Sequence, residues 1–153
     1  MRRCGGVREY SMFSNAAKLR VEHHEIAALL MQLEVAVMQA EPMPEQQLVV
    51  LRNDLARVLT AHLAFEDEVV YPELLRHPDP SIASLAREFQ SEMGGLANRF
   101  AQYSSHWTAS RVENDWAGFC RATKAMIAGF NERVAREDRE LYALLDRLRR
   151  EAA

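Results

Sequence analysis

The 153-residue chain predicts an all-α fold, an antiparallel up-down-up-down four-helix bundle. Apolar residues recur at alternating steps of three and four in four separate stretches, the period of a helix with one buried face. Short connections rich in proline or polar residues separate those stretches, which favours antiparallel neighbours. No segment sustains period-two alternation, and with 6 glycines, 5 prolines and 8 % aromatics the chain lacks the turns and strand formers of sandwiches and barrels.

Residues 1–13 lack helical periodicity, contain Gly5-Gly6 and read as a flexible leader, with Met12 an alternative start; residues 14–150 form the bundle. Ser14 or Asn15 is the expected N-cap of the first helix. Its seam is Leu19, His23, Ile26, Leu30, Leu33, Val37 and Ala40, in steps of 4, 3, 4, 3, 4 and 3. Pro42 and Pro44 end it, because proline has no N–H to donate and restricts the residue before it.

The second helix carries Leu48, Leu51, Leu55, Val58, His62, Phe65 and Val69, with Pro72 expected to kink its end. His77-Pro78-Asp79-Pro80 is a turn, and Ser81 is placed to cap the third helix. That helix runs through Ile82, Leu85, Phe89, Met93, Leu96, Phe100 and Tyr103. Gly94-Gly95 weakens it by about 1 kcal/mol per glycine. A polar connection over Ser104–Arg111 leads to the fourth helix, with Trp116, Phe119, Ile127, Phe130, Val134, Glu137, Leu141, Leu144 and Leu148. Arg147, Arg149 and Arg150 suit the negative end of its dipole. A weak internal repeat relates the halves: His62, Glu66, Asp67 and Tyr71 align with Arg133, Glu137, Asp138 and Tyr142, and Leu19–Leu29 aligns with Ala86–Leu96.

Composition excludes several classes of function. Net charge is −3 with both signs interspersed, so neither a nucleic-acid nor a membrane surface is expected. No apolar run approaches the ~20 residues needed to span a bilayer. Met1-Arg2-Arg3 is followed by no apolar stretch and does not read as a secretory signal. Two cysteines, Cys4 and Cys120, without CxxC spacing make a disulfide framework unexpected and a cytoplasmic location the default. No phosphate loop or nucleophile elbow occurs, and no clear acid–base pair points to an enzyme.

The informative residues are polar ones on the apolar seams. His23 lies in the row of the first helix and His62 in that of the second. Glu66 follows His62 by one turn on the same face, and Glu137 lies in the row of the fourth. An ionised carboxylate facing a bundle core costs several kcal/mol unless compensated, and two facing each other raise one another's pKa. A divalent cation neutralises both and takes imidazole nitrogens as further ligands. The bland alternative is a core histidine with a satisfied hydrogen bond and a surface HxxxE pair.

Two segments then resemble the hemerythrin-like (HHE) cation-binding family over residues 14–148. They are Leu19-Arg20-Val21-Glu22-His23-His24-Glu25-Ile26 and the stretch His62 to Pro72, in which Glu66 follows His62 by four and Tyr71-Pro72 closes the motif. The resemblance implies a non-haem iron centre with His23 (less favourably His24), His62, Glu66 and Glu137 as ligands, and O2 or NO sensing, or iron handling, as the role. Two departures stand out. Where the family's third helix supplies a histidine, this chain offers Gln90, or Phe89 with a one-residue slip. Where the fourth helix supplies another, Arg133 stands. The second metal position is therefore dismantled, and a single iron is expected.

Arg133 also opens an alternative, a metal-free relative working through a protein partner. Turned inward, its guanidinium neutralises Glu66 and Glu137 by bidentate hydrogen bonds. Turned outward, it pairs with Glu137 or Glu132 at the surface. Tyr71 and Tyr142 are expected to pack with their hydroxyls at the rim, and His77 and His106 to be solvated in loops.

Overall fold

The computed structural model describes residues 6–152, and it is the expected all-α bundle. Four helical arms build it. The first is α1 (Gly6–Met38), and the second is α2 (Glu45–Phe65) continued by a π-helical turn over Glu66–Val70 into α3 (Tyr71–Leu75). The third is α4 (Pro80–Met93) followed by α5 (Leu96–His106). After a short α6 (Ala109–Asn114), the fourth is α7 (Trp116–Arg136), a second π turn over Glu137–Tyr142, and α8 (Ala143–Ala152). Among the described residues no helix is long and apolar enough to cross a membrane.

Several boundaries differ from the sequence reading. Residues 6–13 of the expected leader continue α1, so neither Ser14 nor Asn15 begins it; residues 1–5 lie outside the described residues. Asp79, not Ser81, caps α4: its Oδ1 accepts from the Ser81 N–H at 2.9 Å, with Pro80 in the first turn. The third helix is interrupted at its glycine pair. Gly95 has φ +80°, and a Cβ on Gly94 would stand 2.3 Å from the Gln90 carbonyl oxygen. Only glycine allows that left-handed turn and close approach together.

The π turns move the seam. In the second arm Val70 is buried where Val69 was expected, and the fourth arm buries Tyr142 and Leu145 beside Leu141, Leu144 and Leu148. One extra residue per turn rotates everything beyond it. Pro72 has no N–H to give and so suits the first π turn, but no proline follows the second. What the two share is a buried glutamate at their first position.

The interior is divided. One apolar cluster contains Ile26, Leu30, Leu59, Leu63, Ile127 and Phe130, with Trp107 and Trp116 packed on Phe119 at its far end. The other contains Leu19, Val70, Leu74, Phe89, Leu141 and Leu145. Between them, His23 separates Leu19 from Ile26, His62 and Glu66 separate Leu59 from Val70, and Arg133 and Glu137 separate Phe130 from Leu141. The functional candidates form a polar slab across a dry core.

Candidate metal centre

His23 and His62 are each 3 % exposed, Glu66 and Glu137 are fully buried, and Arg133 is 5 % exposed. One donor atom from each of His23, His62, Glu66 and Glu137 can be chosen so that all four lie within 4.8 Å of one another, an arrangement able to hold a metal ion. His24 is exposed and takes no part, and neither His77 nor His106 belongs to the group. In the third arm Phe89 is buried and Gln90 half-buried.

Each imidazole is oriented from outside. His23 Nδ1 lies 3.0 Å from Asp138 Oδ1, and His62 Nδ1 lies 2.9 Å from Glu22 Oε2. A carboxylate facing Nδ1 fixes the hydrogen there and leaves the Nε2 lone pair free. The two Nε2 atoms then face each other at 3.1 Å. His62 Nε2 lies 3.4 Å from Glu66 Oε1. His23 Nε2 lies 3.2 Å from Glu137 Oε2, which has no hydrogen-bond partner among the described residues.

Arg133 points inward. Its Nη2 donates to Glu66 Oε2 at 2.6 Å and its Nε to Glu137 Oε1 at 2.5 Å. The guanidinium thus holds one oxygen of each carboxylate, while the other oxygen of each faces the histidines. The two tyrosines expected at the rim are instead buried. Tyr71 donates to Glu137 Oε1 at 3.3 Å, and Tyr142 to Glu66 Oε1 at 3.1 Å, so each half's phenol reaches the other half's carboxylate. In a regular α-helix a residue five positions on lies about 140° around the axis, which turns Tyr71 and Tyr142 away from the faces of Glu66 and Glu137. The π turns bring them round. The carboxylates behind the histidines, Glu22 and Asp138, are not among the residues the apolar seams single out; their sequence signal is an acidic residue adjacent to a candidate ligand.

The electrostatics follow from this packing. Burial opposes ionisation of Glu66, but the neighbouring His62, with Arg133 and His23, prevails and takes it down to about 2. Burial and the neighbouring Glu66 charge push Glu137 up, against His23 and Arg133. Burial lowers His62, yet the carboxylates of Glu66 and Glu22 beside it and the Glu137 charge leave the imidazole above its ordinary value. Burial likewise disfavours the Arg133 charge, but Glu137 and Glu66 hold the guanidinium firmly protonated.

Counting hydrogens tests whether the residues fit a cation. Four acceptors converge on the histidine side: two imidazole Nε2 atoms, Glu66 Oε1 and Glu137 Oε2. With both imidazoles neutral, the Tyr142 hydroxyl is the one proton donor among the described groups there. With both carboxylates ionised, the single guanidinium also leaves one negative charge uncompensated in a dry interior. A cation corrects both deficits, as does a proton shared by the histidines. The donor set of nitrogen and carboxylate oxygen suits iron, manganese or zinc.

No curated protein and no solved structure matches the chain. The hemerythrin HHE cation-binding domain model matches residues 14–145, nearly the whole bundle and every member of the buried centre, and the chain belongs to that family.

Proposed function

We propose that the protein holds a single non-haem iron at His23, His62, Glu66 and Glu137, with the Arg133 guanidinium standing as a fixed cation in the place of a second metal. Its role on this reading is to bind or sense a small diatomic, O2 or NO, or to handle iron. The observation that carries it is the pair of Nε2 atoms 3.1 Å apart, both turned inward by carboxylates on their Nδ1 atoms. Two lone pairs face each other across a buried gap only where something positive lies between them.

When bound, the metal supplies a Lewis-acidic, redox-active centre with coordination positions for a small ligand. The chain supplies the rest. Glu22 and Asp138 fix the imidazole tautomers. Arg133 favours the ionised form of Glu66 and Glu137 and aims their free oxygens at the histidines. The apolar clusters on either side exclude water, which strengthens each charge interaction.

The double bridge of Arg133 favours a second reading, a metal-free member acting through a protein partner, with the guanidinium and one histidine proton completing the charge balance. Elemental analysis by plasma mass spectrometry on untagged protein purified without chelator separates the two. About one iron per chain, lost in His62→Ala, is expected. Folded protein that stays empty after anaerobic ferrous reconstitution would establish the second reading instead.

A further inference from the structure

We infer that Tyr142 is a further donor to the cation position, offering its phenolic oxygen beside His23, His62, Glu66 and Glu137; this rests on the single-metal reading above. An ion with bonds of about 2.1 Å to nitrogen and oxygen sets neighbouring ligand atoms about 3.0 Å apart in octahedral arrangement. The Tyr142 oxygen lies 3.0 Å from His23 Nε2 and 3.1 Å from Glu66 Oε1. The same edge recurs between the two Nε2 atoms at 3.1 Å, and between His23 Nε2 and Glu137 Oε2 at 3.2 Å. The Tyr142 oxygen, whose hydrogen bond to Glu66 Oε1 has this same length, stands at the spacing of a further vertex of the cage.

Its ring is held there. It is fully buried and stacks on His23, with centroids 4.9 Å apart and planes 29° apart. Arg20, paired with Asp146, covers the Tyr142 ring from outside at 5.5 Å. Tyr71, its equivalent in the other half, is placed differently. Its hydroxyl reaches Glu137 Oε1, the oxygen that already accepts from Arg133. One phenol lies on the metal side and the other on the guanidinium side. On coordination the Tyr142 proton is released to solvent, as ligand protons are when a cation binds, and the phenolate oxygen is a hard donor matched to ferric iron.

The test uses the whole 153-residue chain loaded anaerobically with ferrous iron and then oxidised. Wild type and Tyr71→Phe are expected to show a visible phenolate-to-ferric charge-transfer band. Tyr142→Phe is expected to lose it entirely while retaining about one iron per chain. Iron-loaded wild type without the band, or a band that survives in Tyr142→Phe, overturns the inference and leaves the metal reading standing. Failure of wild type to take up iron sinks both. Should Tyr142→Phe not fold, resonance Raman spectra of Tyr71→Phe decide: phenolate modes under visible excitation support Tyr142, and their absence refutes it.

Discussion

The two halves of the bundle carry the same frame and differ in the cation they build. His62, Glu66 and Tyr71 in the second arm correspond to Arg133, Glu137 and Tyr142 in the fourth. Each set has the same spacing, a π turn starting at its glutamate, and a tyrosine crossing to the opposite carboxylate. The second arm offers an imidazole that needs a positive charge brought to it. The fourth offers a permanent positive charge that ligates nothing. The supporting acids show the same asymmetry. Asp138 holds His23, whereas Asp67, its counterpart in the repeat, belongs to the half whose third arm has Phe89 and Gln90 in place of an imidazole. On the single-metal reading, a symmetric frame has become a one-cation site with a built-in counterion, and the difference rests on a few side chains.

The largest effect should come from breaking the guanidinium side. Arg133→Leu strands two buried carboxylates and is expected to destabilise the protein by about 3–5 kcal/mol. That corresponds to a Tm lower by roughly 10 °C in a thermal melt. A silent Arg133→Leu would mean that the bridge does not stabilise the fold. Arg133→His makes the two halves alike; metal content per chain should rise above the wild-type value, and no rise would show that the missing third-arm histidine limits the second position.

The supporting carboxylates come next. Glu22→Gln and Asp138→Asn should each weaken metal affinity about 10–100-fold, read by competition with a chelator, because the imidazoles lose their orientation and basicity. Glu22 should be the more sensitive, since its side chain is 21 % exposed against 46 % for Asp138 and water substitutes less readily. The smallest effect sharpens the comparison. Asp67→Asn removes the repeat's counterpart of Asp138 and should leave metal affinity unchanged within about twofold, with stability altered by no more than about 0.5 kcal/mol. A loss as large as that of Asp138→Asn would mean that the halves are more symmetric than the third arm suggests.

The helical class, the four arms and the ligand candidates are legible in the residues alone. Spacing reports the face on which a side chain lies, and charged or imidazole groups at His23, His62, Glu66 and Glu137 contradict an apolar seam whatever the details of packing. Spacing leaves open whether Arg133 turns in or out, because a long flexible side chain next to a seam reaches either way. It misplaces Tyr71 and Tyr142, and with them Val69, because a period of 3.6 residues holds only while the helix is regular. These points were resolved only by packing in three dimensions. The π turns rotate the tyrosines into the core, the glycine pair divides the third arm, and Asp138 and Glu22 reach across from neighbouring arms to the histidines. His23 and Asp138 meet although 115 positions separate them, so local periodicity carries no trace of the contact. Packing two buried carboxylates between dry cores then leaves the guanidinium one stable place, between them.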